Sequence, residues 1–272
     1  MGATPARGHQ RSAAHRGFGL TQARSFALAR LVAAPPAETL LVTDFDGTLA
    51  PIVADPPAAA GLPESLHALG RLAELGVRVV VLSGRPTSFL EAHVPIPGVR
   101  LLGDNGLEQL SAGEAKSLES FKSLAGVAIG RRPGIVLAST PGCVAVHYRA
   151  APQGSGDLFE ELSNIAAGLD LLVSPGRMVV EIRPRRGTKV RAVDRLIQQL
   201  QPACVVFAGD DEGDRDAFGL VSRFDGVHVA IGILSDETKP DLFRSCDIVF
   251  DNPASLAAFL TEWVNGVGIR QG

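Results

Sequence analysis

Leu40-Leu41-Val42-Thr43-Asp44-Phe45-Asp46-Gly47-Thr48-Leu49 joins an apolar run to two carboxylates and a glycine. The run Leu40 to Thr43 predicts a buried parallel strand. Asp44 and Asp46 then stand at its C-terminal end, where open α/β sheets bind ligands. Gly47 permits a sharp turn, and Thr48 can hydrogen-bond within it. Carboxylates one residue apart can divide labour, one attacking as a nucleophile and the other moving protons. A bare Asp-x-Asp also fits a strand running into an ordinary polar turn, so the choice between the two rests on residues further along the chain.

Three further features appear in order. Ser83-Gly84-Arg85 comes directly after Val77 to Leu82, a second apolar run. A serine hydroxyl and nearby backbone N–H groups can hold a phosphate oxygen there. Lys189 opens a helix-like stretch after Arg186-Gly187-Thr188 and can neutralise a phosphoryl group. Gly209-Asp210-Asp211-Glu212-Gly213-Asp214-Arg215-Asp216 comes after the third apolar run, Cys204 to Ala208. Five acids among residues 210–216 repel one another unless a cation is present. A hard divalent cation with oxygen ligands, most simply Mg²⁺, accounts for them. Each feature alone has an ordinary explanation: a strand exit, a solvated lysine, an acidic helix start.

In this order the four motifs resemble the haloacid dehalogenase superfamily of phosphatases. The segments Asp44–Pro51, Ser83–Pro86, Val146–Arg149, Val180–Pro184 and Gly209–Phe218 are similar to the trehalose-6-phosphate phosphatases within it. The likeness runs from about Leu40 to Trp263. It implies that Asp44 attacks phosphorus and becomes an aspartyl-phosphate, while Asp46 acts as acid and then base. It further implies that Ser83 and Lys189 hold spectator oxygens. Mg²⁺ would be held by Asp44, the Asp46 carbonyl, Asp210 and, through water, Asp214. Whether Asp211 joins that shell is left open. Gly84, Arg85 and Asn105 are substrate-side candidates, and Arg149 and Glu181 are candidate sugar contacts. His147, Arg177 and Arg183 lie in the same strand-like neighbourhoods.

The expected fold is α/β: a doubly wound, Rossmann-like parallel-sheet core with an inserted, smaller α+β cap. Leu40 to Gly103 alternates strand-like runs with helix-like stretches such as Pro63–Leu75, the βαβ rhythm of a parallel sheet. From Ser111 to Arg183 the rhythm changes, with strands expected at Cys143–Tyr148 and Met178–Ile182 and a helix at Leu158–Ala167. After Gly187 it resumes, with strands near 203–207, 227–230 and 247–250 and a helix at Pro253–Val264. The division expected is 1–37 tail and short helix, 38–110 core, 111–185 cap and 186–272 core.

The chain has 272 residues, 46% hydrophobic and 20% charged, enough to bury a substantial core. A formal net charge of −3 gives no electrostatic case for a nucleic-acid partner. Cys143, Cys204 and Cys246 are few and scattered, as expected of buried free thiols in a reducing cytoplasm. No run of about 18 apolar residues suggests a membrane span. A monomer acting on a small sugar phosphate is the expected form. Residues 1–37 hold Arg7, Arg11, Arg16, Arg24 and Arg30 before any acid. They read as a flexible tail and a short helix broken by Pro35-Pro36, or else as a transit peptide.

The sequence departs from the family pattern in three places. Ala138-Ser139-Thr140 stands where Glu-x-Lys is usual, Asp104-Asn105-Gly106 where Asn-His-Gly or Asn-Tyr-Gly is usual, and Gly213 where Thr is usual. The last spares every acid that can reach a metal. The first two fall where the sugar is read, and the first, by losing a Glu and a Lys, removes charge-assisted hydrogen bonds. Trehalose 6-phosphate leads as substrate, with another glycosyl or amino-sugar phosphate as the alternative. A phosphotransferase using the same aspartyl-phosphate and a catalytically silent sugar-phosphate-binding module are the competing functional classes.

Overall fold

The computed structural model describes residues 10–107, 110–130, 132–140, 142–151, 157–176, 178–185, 187–235 and 241–271, with backbone alone for 10–20 and 271. The first nine residues, with Arg7, and the residues Arg177 and Arg186 lie outside the described residues. The chain forms two compact units. One comprises the chain up to Leu82, Glu91–Leu101 and Val193 onward; the other comprises Ser83–Leu90 and Leu102–Ala192.

The first unit is built on a sheet of β1 (Thr39–Thr43), β2 (Arg78–Leu82), β3 (Val99–Leu102), β8 (Cys204–Gly209), β9 (Val227–Ile233) and β10 (Ile248–Phe250). Their order is β10-β9-β8-β1-β2-β3. The chain runs outward from β1 through β2 and β3, returns beside β1 as β8, and runs outward the other way. This is a doubly wound topology with its switch point between β1 and β8. β1 is parallel to both neighbours, with Thr43 opposite Val81 and Ala208. Burial on both faces explains its unbroken apolar sequence: all five residues of β1 and all six of β8 are buried.

Helix α2 (Pro63–Glu74) takes Pro at its first turn and buries Ala68, Leu69 and Leu72. α7 (Arg215–Val221) and the turn at 241–245 add an aromatic run, with Phe218 edge-on to Phe207 at 5.4 Å and to Phe243 at 5.9 Å. α8 extends over Pro253–Gln271 and buries Phe259, Leu260 and Trp263. It outruns the expected end at Val264 because Gly266 is a packing site there: a Cβ on it would overlap Val32. α1 is likewise longer than expected, a helix over Gln10–Ala33 in place of a flexible tail and a short helix. Ala, Arg, Leu and Gln dominate it, and all are strong helix formers. Arg24 pairs with Glu262 at 2.6 Å, tying α1 to α8.

The second unit holds an antiparallel sheet ordered β4-β5-β7-β6, from β4 (Val136–Ser139), β5 (Val144–His147), β6 (Leu171–Gly176) and β7 (Val179–Pro184). One face carries Val144, Val146, Val180 and Ile182, packed with Leu118, Phe121 and Ala125 of α4 (Ala112–Ile129) and Leu158, Leu162 and Ala166 of α5 (Leu158–Ala167). Strict alternation in β5 and β7 is the sign of a half-buried sheet. The chain also contributes α3 (Thr87–His93) and α6 (Lys189–Leu200). Of the cysteines, all free, Cys204 is buried, whereas Cys143 and Cys246 are only partly so, because both precede their strands.

Candidate active site

The acidic centre forms where β1 and β8 end side by side. Asp44 comes directly after β1 and donates its N–H to Ala208 O at 2.9 Å, which continues the ladder by one residue. The chain then turns tightly: Phe45 O accepts from Leu49 and Ala50 N–H, both at 2.9 Å, and Gly47 N–H donates to Ala50 O at 2.8 Å. Gly47 has φ 75°, and a Cβ there would overlap the Asp210 carboxylate. Both the left-handed backbone and the close approach require glycine.

Asp210 comes directly after β8. Its Oδ1 accepts the Thr48 hydroxyl at 3.3 Å, so the turn after β1 and the exit from β8 are joined by a side-chain bond. Asp214 turns back on the same loop: its Oδ2 accepts the N–H groups of Asp210 at 3.0 Å and Asp211 at 3.1 Å. Gly209 makes room, since a Cβ there would overlap the Asp214 carboxylate. Asp211 and Asp214 cap each other in a reciprocal box at the short turn Glu212–Asp214.

The result is three carboxylates, Asp44, Asp210 and Asp214, whose ligand oxygens lie within 4.8 Å of one another. They are 4%, 6% and 0% exposed. Buried like charges this close are unfavourable without a counter-charge. A set of carboxylate oxygens is the donor chemistry of a hard divalent cation such as Mg²⁺. Asp46 is half-buried at the start of that turn, bridged to Ala50, and its side chain is not a member of the trio.

Within the second unit Ser83 is buried, and its Oγ accepts Arg85 N–H at 3.2 Å. Ser83 O accepts Asn105 N–H at 2.8 Å, and the buried Asn105 side chain lies beside Gly84. Arg85 stacks over the Phe89 ring at 4.6 Å. Lys189 opens α6 and is buried, a cation at the positive end of a helix. That placement suits a group that meets an anion.

The open face of the antiparallel sheet carries the candidate sugar contacts. Glu181 and Arg183 share that face of β7 and form an ion pair. Register places Ala138, Ala145, Glu181 and Ser174 in one row across the four strands. His147 lies two residues along β5 from Ala145 and is exposed. Arg149 lies off the strand: β5 ends at His147, one residue short of the expected Tyr148, and Arg149 is exposed in the turn beyond it. Cross-strand pairing stops there, with Tyr148 N–H donating to Met178 O at 3.0 Å. Residues not anticipated at all are Thr48 as partner of Asp210 and Asp104 as partner of Thr140, at 3.1 Å. Both bonds span chain distances that no local pattern encodes.

The chain matches the Trehalose-phosphatase family over residues 42–244. It is 32% identical over 248 residues to the trehalose-phosphate phosphatase of Mycobacterium tuberculosis, covering 84% of this chain and 61% of that protein. It is 34% identical over 199 residues to a bifunctional trehalose-6-phosphate synthase/phosphatase of Thermoproteus tenax, covering 68% and 27%. The chain thus spans about three fifths of the mycobacterial relative's length. In fold it is similar to the trehalose-6-phosphate phosphatase of Aspergillus fumigatus, with TM-score 0.68, 21% identity and coverage of 89% and 97%. The C-terminal domain of the Candida albicans trehalose-6-phosphate phosphatase gives TM-score 0.72, 19% identity and coverage of 89% and 96%. The family match takes in both acidic strand ends and the whole antiparallel sheet, so motifs and architecture agree, and the chain belongs to the trehalose-phosphatase family.

Proposed function

We propose that this chain is a Mg²⁺-dependent phosphatase that hydrolyses trehalose 6-phosphate to trehalose and phosphate through an aspartyl-phosphate. The observation that carries the reading is the buried trio Asp44, Asp210 and Asp214 at two adjacent parallel strand ends. Asp44, the Asp46 carbonyl and Asp210 would hold the cation, with Asp214 acting through water. Bound Mg²⁺ supplies the positive charge that lets an anionic nucleophile approach an anionic phosphate.

In the first step an Asp44 carboxylate oxygen forms a bond to phosphorus as the bond to the sugar oxygen breaks. Asp46, entering protonated, gives its proton to the departing oxygen. In the second step Asp46 takes a proton from water, whose oxygen bonds to phosphorus and releases the Asp44 carboxylate. Ser83 and Lys189 are assigned the spectator oxygens, where they stabilise charge as it builds. Gly84, Arg85 and Asn105 are assigned to the substrate's phosphate side, and Glu181 and Arg149 to its sugar. An intact Asp46 favours turnover over a silent binding module, which needs no proton-transfer group.

One observation favours a second substrate. Ala145 and, beyond it, Ala138 stand on one side of Glu181 in its row, with Ser174 on the other, so the β4–β5 side of that face offers methyl groups where a sugar hydroxyl needs polar partners. A different glycosyl phosphate fits such a face. Phosphate release from a panel of sugar phosphates, with Mg²⁺ and with chelator, tests both readings. Trehalose 6-phosphate is expected to be cleaved in Mg²⁺ alone. Cleavage of another glycosyl phosphate in its place corrects the substrate, and undiminished release in chelator removes the metal.

A further inference from the structure

Asp104 sits at a junction that the assigned roles do not use. Asp104, Asn105 and Gly106 have φ of 49°, 56° and 79°, three successive residues in the left-handed region. Asp and Asn tolerate the left-handed region better than other non-glycine residues, yet such a run persists only where the surroundings hold it. On one side the Asp104 N–H donates to Arg85 O at 2.8 Å, and the Asn105 N–H donates to Ser83 O at 2.8 Å. The strained loop is therefore clamped onto the Ser83–Arg85 turn.

On its other side Asp104 meets the turn between β4 and β5. The Thr140 hydroxyl donates to Asp104 Oδ1 at 3.1 Å. Gly142, in the same turn, packs so closely that a Cβ on it would stand 3.2 Å from Asp104 Cβ and 3.1 Å from Leu107 Cδ2. The turn is itself closed by Thr140 N–H donating to Cys143 O at 2.9 Å. Burial raises the Asp104 carboxyl above its ordinary value, while the Thr140 hydroxyl and the Arg183 charge oppose that rise. Arg183 is the partner of Glu181 on the open face, so the same cation serves both carboxylates.

We propose that Asp104 is a positioning residue whose bond to Thr140 couples the β4–β5 turn to the Ser83–Arg85 loop. One hydrogen bond then sets the end of the sugar-facing sheet and the loop that takes the phosphate together. Its bearing on turnover rests on the sugar-phosphate phosphatase reading; the coupling itself does not.

Hydrogen–deuterium exchange on the free, full-length protein tests the coupling without substrate. Thr140→Val keeps the shape and removes the hydroxyl, Thr140→Ser keeps the hydroxyl, and Asp104→Asn keeps the acceptor oxygen. Thr140→Val is expected to speed exchange about three- to tenfold, the loss of one partly exposed hydrogen bond, both at Thr140–Cys143 and at Asp104–Leu107. Thr140→Ser and Asp104→Asn are expected to stay within about twofold of wild type in both segments. In the same preparations kcat/KM for the sugar phosphate is expected to fall about three- to tenfold in Thr140→Val, chiefly through KM, and to recover in Thr140→Ser. Exchange that rises in the β4–β5 turn alone overturns the coupling, as does a Thr140→Ser variant as impaired as Thr140→Val. A wild-type protein that cleaves no sugar phosphate while both segments respond together overturns the function reading and leaves the coupling standing.

Discussion

Replacing Asp210 by Asn is expected to stabilise the metal-free protein while removing its response to Mg²⁺. The three buried carboxylates present oxygens within 4.8 Å of one another. At an effective dielectric of about 20, two unit charges at that separation repel by roughly 3.5 kcal/mol. Asp210 takes part in two of the three pairs. Protonation limits the penalty, since neutralising one ordinary aspartate at pH 7 costs roughly 4 kcal/mol. Asn keeps the size of the side chain and the Oδ1 that accepts from Thr48. The gain expected in chelator is therefore about 2–4 kcal/mol, the usual sign for a group retained for function at the expense of stability. Wild type, by contrast, gains about 2.7 kcal/mol when Mg²⁺ reaches a hundred times its dissociation constant. Urea titrations of both proteins, in chelator and in saturating Mg²⁺, give all four stabilities. A variant less stable than wild type in chelator, or one that gains as much from Mg²⁺, refutes the reading of the trio as a metal site.

Glu181→Ala is expected to lower kcat/KM for the sugar phosphate by roughly ten- to a hundred-fold, the value of a lost hydrogen bond of about 1–3 kcal/mol. A small aryl phosphate, which cannot reach the sheet's open face, should lose far less, and equal losses on both substrates remove Glu181 from sugar recognition. Cys143 is pushed up to about 11, chiefly by burial and further by the Glu181 charge. Its alkylation rate should still rise about tenfold per pH unit between pH 8 and 10, where an ordinary thiol of pKa about 8.5 levels off; a plateau near pH 9 contradicts this.

The sheet and the acidic centre were legible because their signals are local. Thr39–Thr43 and Cys204–Gly209 are continuous apolar runs, as a strand buried on both faces must be, and each leads directly into an acid. α5 falls at the expected Leu158–Ala167, where the apolar spacing is helical. α4 carried an unused signal: Ser111 and Glu114 form a capping box, and Ser-x-x-Glu stands in the sequence. β6 was hidden by its own ending, Pro175-Gly176, residues that argue against a strand interior. The expected end of α8 at Val264 stops short of Gly266, and only the structure reveals that this glycine seats Val32. Gly47 was legible as a turn, but its second reason, the Asp210 carboxylate against it, joins positions far apart in the chain. The Asp104–Thr140 bond is of the same kind.

In the proposed reaction the carboxylate of Asp44, held beside Asp210 and Asp214, is the nucleophile of a phosphatase. Rapid-quench phosphate release from trehalose 6-phosphate in Mg²⁺, comparing wild type with Asp44→Asn, tests it most directly. Asn nearly preserves the size of the side chain and cannot attack phosphorus. Phosphate and trehalose are expected in equal amounts from wild type, with no release above background from a folded Asp44→Asn protein. Release at the wild-type rate by Asp44→Asn would contradict it.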